Sequence, residues 1–498
     1  MRPLIWTPPV ALSASEEKVI KRIKRAKLFS FRRLHRHEIF DAAFQQEMTK
    51  LFKDSTVGQA PIFPAQLALA TILQAYTDVS DDEVIEAMVM DRRWQLVLGT
   101  LSSDESPFGK GTFVRFRGIL IAKDFDRRLI ERTIEIAQMR QSFSPRNLRA
   151  ALDSSPLWGA ARVEDTYNLL GHALRKAVTL IAQDEGKEFE QSANESGAER
   201  LNRSSLKAAL DIDWDDQNAK SEALTQVIAM LDAVEYKLQQ DPLGSQPAIE
   251  SVKAALNSAR QIQQQDVERD EVGTPRLKKS VAKDRRITIE DEQMRHGRKS
   301  RAVRIDGYKR HVLSDLDLQL IRAVGITPAN APEATVTQAL QADLEAQAVE
   351  MTELHIDRAY LASEWGHQRA DDLEIICKAW PTRRAEHVSK TDFELDWATQ
   401  QITCPNGISV SFTPGKTARF PPQQCQTCSL QPQCTTSAKG RTVTIHPNEV
   451  LFETLRARQS TPDGRAQLRE RVKIEHTAVG QYLNYRRALR SQEPTRAM

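Results

Sequence analysis

Apolar positions along the first third of the chain recur at the spacing of one helical face. In "PAQLALATILQAY" Leu67, Ala70 and Leu73 share a side, with Pro64 at the start. "SDDEVIEAMVMD" follows with Ser80 placed as an N-cap, and "FDRRLIERTIEIAQM" is amphipathic again. "PFGKGTFVRFRGIL" breaks at two glycines and restarts at Thr112. Residues 16–140 therefore read as short helices joined by tight turns. Near Pro145 the period changes, and "NLRAALDSSPL" reads as a short buried strand ending at Asp153.

From about residue 165 to 265 the helical period returns. Leu224, Val227, Ile228, Leu231, Val234 and Leu238 form one stripe, and Ile249, Val252, Leu256 and Ala259 a second. Joined by "QQDPLGSQP", they predict a helical hairpin inserted into a domain, with "QQQDVERDEVGTP" as a charged exit linker. "YKRHVLSDLDLQLIRAVGITPAN" is a hairpin pattern and "PEATVTQALQADLEAQ" a helix. "MTELHIDRAYL" reads as a buried strand ending at Asp357, and "DLEIICKAW" as the next strand, with Cys377 packed in it. The succession strand, hairpin, helix, strand, strand is that of a mixed α/β sheet.

A chain of 498 residues implies two to four domains. Apolar residues at 40% and charged residues at 28% place it among soluble globular proteins. No apolar run is long enough for a membrane helix, and the start, "MRPLIWTPPVALSASEEK", lacks the apolar core of a secretory signal. The expected location is the cytoplasm.

Net charge is only +3, but the charge is clustered. Lys18–Arg36 holds nine Lys/Arg in nineteen positions, and Arg276–Arg310 thirteen in thirty-five. Such clusters are the electrostatic footprint of a nucleic-acid binder, although each alone also suits a solvated face. Arg295, Arg298, Lys299 and Lys309 within the second, and His311 next to it, are the expected phosphate contacts.

Two acidic positions stand out from the many. Asp153 and Asp357 each follow an apolar strand and precede a turn, and strand-end carboxylates of an α/β sheet converge where ligands bind. A few hard oxygen donors suit Mg²⁺ or Mn²⁺ and phosphoryl transfer. A lone Asp at a strand end is more often a cap; Asp165 in "RVEDTYNLL" is read as the cap of the next helix. Four of the five cysteines, Cys404, Cys425, Cys428 and Cys434, fall within one short segment containing a Cys-x-x-Cys pair. That pattern points to a closed structural Zn²⁺ site, with His446 able to replace one cysteine; four free thiols in a loop are the plainer alternative.

The blocks "LDSSPLWGAARVEDTYNLL", "MRHGRKSRAVRIDGYKRHVLSD", "GITPANAPE", "HIDRAYL" and "RERVKIEH" occur in this order over about residues 30–490. In this the chain resembles bacterial insertion-sequence transposases with a DDE triad. The resemblance implies a ribonuclease H-like catalytic domain with Asp153, Asp357 and Glu475 as Mg²⁺ ligands. Glu470 is the rival for the last position, and Arg471, one turn before Glu475, would meet a DNA phosphate. Such transposases often carry a tyrosine three residues before that arginine and a lysine seven after the glutamate; Leu468 and Tyr482 stand there instead. They also often carry a cysteine-bearing insertion before the glutamate helix, matching the cysteine segment here.

The expected organisation is a helical N-terminal DNA-binding domain (1–144), a catalytic domain in three parts (145–180, 274–400 and 445–498), a helical insertion (181–273) and a zinc insertion (401–444). The expected activity is binding of transposon ends, cleavage, and joining of 3′-hydroxyls to target DNA, by a homodimer or larger assembly on double-stranded DNA. A nuclease of the same fold and a catalytically silent DNA-binding descendant are the alternatives.

Overall fold

The computed structural model describes residues 2–54, 61–140, 147–299, 302–318, 320–367, 372–380 and 387–472. The main sheet has six strands: β1 (Leu148–Trp158), β2 (Arg295–Arg298), β3 (Arg304–Asp315), β4 (Ile321–Pro328), β5 (Met351–His355) and β6 (Glu374–Ile376). Their order is β2-β3-β1-β5-β6, with β4 also on β3. β1, β5 and β6 run parallel, whereas β2 and β3 are antiparallel. This is the expected mixed α/β sheet, consistent with a ribonuclease H-like domain.

The chain divides into two compact units, the first comprising residues 1–153, 312–324 and 338–498, the second 154–311 and 325–337. In the first unit, short helices from Ala14–Arg22 to Phe125–Arg140 pack around Phe29, Phe44, Met48, Leu73, Trp94 and Phe113, all buried. Ser80 caps its helix with a full capping box, as expected. The helix expected to restart at Thr112 begins instead at Lys110: Gly109 is the extended N-cap, and Gly111 lies inside the helix.

Two of the nine cations of Lys18–Arg36 face inward. Arg33 is buried, bonded to Glu16 and to the carbonyls of Val10 and Ala11. Arg36 donates to the carbonyls of Leu96 and Val97 and lies over the Trp6 ring. Burial, with Arg33 adding, lowers its pKa to about 10. Lys18, Lys21, Arg22, Lys24, Arg25 and Lys27 remain exposed.

The second unit holds the helical tract. The helices Thr166–Glu185, Gln217–Gln240 and Gln246–Asp266 share a core of Leu170, Leu174, Val178, Val227, Leu231, Val252 and Leu256. Both predicted stripes supply that core. Asp165 caps the first helix, accepting from the backbone N–H of Tyr167 and Asn168. The segment expected to be an exit linker is a small antiparallel ladder, Val267–Arg269 on Pro275–Leu277. Its turn is built by Asp270, whose carboxylate accepts from the N–H of Val272 and Thr274, with Gly273 at positive φ.

Candidate active site

β1 does not end at Asp153 but runs five residues further, to Trp158. Serines and a proline made that stretch look like a turn. Sheet pairing overrides them, and Pro156 is tolerated because the ladder with β5 has already ended at Ala151.

The register of that ladder decides what Asp153 meets. Arg149, Ala150 and Ala151 pair with Glu353, Leu354 and His355, each 204 residues on. The ladder ends at Ala151 and His355, and Asp153 and Asp357 each follow its last pair by two residues. A register shift between Leu148 and Arg149 makes this so; without it Asp153 would count level with Ile356. Alternation then puts Arg149, Ala151 and Asp153 on the same face as Glu353, His355 and Asp357. Asp357 is exposed and N-caps the short turn Arg358–Ala362, accepting from the N–H of Ala359.

Around Asp357 the protein forms a polar cleft of about 150 Å³. His355, Arg358, Lys378, Leu468 and Arg471 line it. Leu468 and Arg471 belong to the helix Pro462–Glu470 and its last turn, so that helix reaches the sheet edge. Arg471 Nη1 stands 3.5 Å from Asp153 Oδ1. The Asp357 carboxylate, three cations and room for several waters suit a phosphate, with the Asp153 carboxylate reached through Arg471. Cys377 is buried nearby; burial, then the Asp357 charge, push its thiol up to about 12, so it stays a protonated packing residue.

Glu475 lies outside the described residues. Glu470 does not point into the cleft's chemistry: its carboxylate accepts from Arg149 at 2.9 Å. Among the described residues no group of three or more His, Cys, Asp or Glu is arranged to hold a metal. The carboxylate pair alone fits a hard divalent ion by donor type, and a third donor is needed.

Three residues of this face were missed in the sequence. Arg149 forks onto both Glu353 oxygens, at 3.2 and 2.9 Å, and also reaches Asp317 and Glu470. His355, fully buried, donates from Nε2 to Glu353, and among the described residues its Nδ1 has no hydrogen-bond partner. Burial pushes the Glu353 carboxyl up, but the bonds from Arg149 and His355 outweigh it and hold its pKa below the usual carboxylate range. The matching alternation of 149-151-153 and 353-355-357 was the available signal.

The expected phosphate contacts divide. Arg298 and Lys299 are exposed. Arg295 is buried, committed to Asp284 and to the carbonyls of Glu292 and Met294, so its charge is spent internally. His311 is fully buried against Thr327, and burial, helped by Lys309, lowers its pKa to about 4, leaving it neutral. Lys309 gives its ammonium to the Ala331 carbonyl. For Arg295, Lys309 and His311 the expectation is corrected: alternating strand residues of a basic run point inward as often as outward.

The four clustered cysteines line one apolar cavity, with Phe420 and Arg441. Cys404 opens a tight turn closed by Gly407, and Cys425 and Cys434 sit in the one-turn helices Pro422–Gln426 and Gln431–Cys434. Burial raises the Cys434 pKa, and the neighbouring Cys425, Cys404 and Cys428 act in the same direction, against Arg441. Cys425 Sγ accepts from the Arg441 N–H at 3.5 Å.

The Transposase DDE domain family matches residues 403–491, which span the cysteine segment, Arg471 and Glu475. Over that segment the chain resembles transposases of the DDE type. A second transposase domain family (DUF772) matches residues 20–118, the helices of the N-terminal part. No curated protein and no solved structure matches the chain. The transposase matches cover the chain's two ends, and the sheet between them carries Asp153 and Asp357. No helix among the described residues is long and apolar enough to cross a membrane.

Proposed function

We propose that this chain is a transposase that cleaves DNA at the ends of its element and joins the freed 3′-hydroxyls to target DNA, with Asp153, Asp357 and Glu475 as its metal ligands. The observation that carries the reading is Arg471, which lines the cleft with Asp357 and stands 3.5 Å from Asp153, while both aspartates follow the last pair of the β1–β5 ladder by two residues. Mg²⁺ or Mn²⁺ held there would supply positive charge against the charge that builds on the phosphate oxygens. Arg358, Lys378 and Arg471 would hold the scissile phosphate's neighbours and fix its orientation. The exposed cations Lys18 to Lys27 and the pair Arg298 and Lys299 would grip the duplex beyond the cleft.

The cysteine segment is read as a structural Zn²⁺ module. Its four thiols line one cavity and are the donor type of a closed Zn²⁺ site, which the ion would have to draw together. Pairing two element ends calls for a dimer or larger assembly on DNA.

The test is metal-dependent nicking of a duplex that carries the element's terminal sequence. Nicked but never joined products would make the protein a nuclease. Tight binding with no nick in Mg²⁺ or Mn²⁺ would make it a DNA-binding descendant.

A further inference from the structure

We propose that Arg149 is a positioning residue that holds β1, β5 and the helix Pro462–Glu470 in mutual register beside the active-site cleft. The inference rests on the reading of Asp153, Asp357 and Glu475 as the ligands. One guanidinium joins β1, β5 and the C-terminal helix, through its fork onto Glu353 and its bond to Glu470. Each junction lies just before a ligand. Arg149 precedes Asp153 by four residues, Glu353 precedes Asp357 by four, and Glu470 precedes Glu475 by five. A fourth contact, to Asp317, ties in the turn after β3.

Geometry favours positioning over stability alone. Arg149 and Glu470 are each about one-third exposed, at 34% and 31%. An ion pair at that exposure adds little to stability. Their orienting effect is larger. A planar fork onto Glu353 fixes two strands at one step, and a third N–H to Glu470 fixes the helix against them. Arg149 touches neither substrate nor ligand site itself. It acts through the segments it joins, as outer partners orient the ligands of a metal centre.

The test uses the full-length protein and Mn²⁺ alone, titrated by loss of the free ion's paramagnetic signal. Arg149→Lys keeps the charge and loses the fork; Glu470→Ala removes the helix anchor; Glu470→Gln keeps an acceptor oxygen. We expect Arg149→Lys and Glu470→Ala to weaken Mn²⁺ binding about tenfold. The Mn²⁺ needed for half-maximal nicking should rise equally, with the rate at saturating metal near the parent's. Glu470→Gln should recover most of the affinity. A purely structural role would lower the melting temperature and leave Mn²⁺ affinity of the folded protein unchanged, and that result overturns the proposal. Should Arg149→Lys fail to fold, Glu470→Ala decides. If Asp153→Asn binds Mn²⁺ as the parent does, the ligand reading itself falls, a failure distinct from an intact site insensitive to Arg149.

Discussion

Arg471 stands 3.5 Å from Asp153, and one residue earlier Glu470 holds Arg149, four residues before Asp153 on the same strand. Two consecutive helix residues therefore grip β1 at two points on one face. That double contact fixes how the helix Pro462–Glu470 meets the sheet, and it engages the Glu470 carboxylate with Arg149.

Asn keeps the shape of Asp and Gln that of Glu, without the charge that holds a divalent ion. Asp153→Asn, Asp357→Asn and Glu475→Gln are each expected to reduce cleavage and joining to background while end binding stays near the parent level. Double variants should be no worse than singles, because the three act as one unit. Glu470→Gln is the control and should still cleave at saturating metal. Gel assays of nicking and of end binding measure both; normal cleavage by Glu475→Gln would move the last ligand elsewhere.

On the proposed reading of the cysteine segment, purified protein should carry about one Zn²⁺ per chain, because a closed site takes four thiolates. Cys428→Ser should lower the melting temperature, because metal binding there contributes to folding. Elemental analysis finding no zinc in protein prepared without chelators would remove this reading.

Arg298 and Lys299 are the exposed members of the second basic run. Replacing both with Ala should weaken binding to specific and random duplexes alike and flatten the log-affinity against log-salt slope by ~1 to 2 units. Arg295→Ala should instead lower thermal stability, because it removes a buried guanidinium bonded to Asp284 and to the carbonyls of Glu292 and Met294. A loss confined to one DNA sequence would indicate base readout at the Arg298–Lys299 pair.

Glu353 has a depressed pKa in the folded chain, so the unfolded state binds the proton more readily. Its contribution is then complete above the ordinary value of 4.5 and is lost as pH falls through the lower folded value. Glu353→Gln should be less stable at neutral pH and show a shallower loss of stability below about pH 4.5. Equal acid limbs for the two proteins in urea melts would rule this out.

Helical stripes, the hairpin and the strand before Asp357 were legible because hydrophobic period reports burial directly. So was Asp165 as a cap, where a short carboxylate meets free N–H groups. The true end of β1 was hidden, because Ser154, Ser155 and Pro156 have turn propensities that neighbouring strands override. The inward turn of Arg33, Arg36 and Arg295 was hidden too, since a basic run carries no mark of which members find carbonyls. Asp153 and Asp357 could be singled out, but a one-residue shift between Leu148 and Arg149 decides their alignment, and no local pattern encodes it.

The 204-residue offset between β1 and β5 also bears on when the protein becomes dangerous to DNA. Helices of the N-terminal part and of the tract around Thr166–Asp266 close through near neighbours and can form while synthesis continues. The aspartates cannot meet until β5 has emerged, more than two-thirds of the way along the chain. On the proposed reading, a polypeptide abandoned before that point would carry duplex-gripping cations yet no cutting centre, and would compete with finished copies for the same ends.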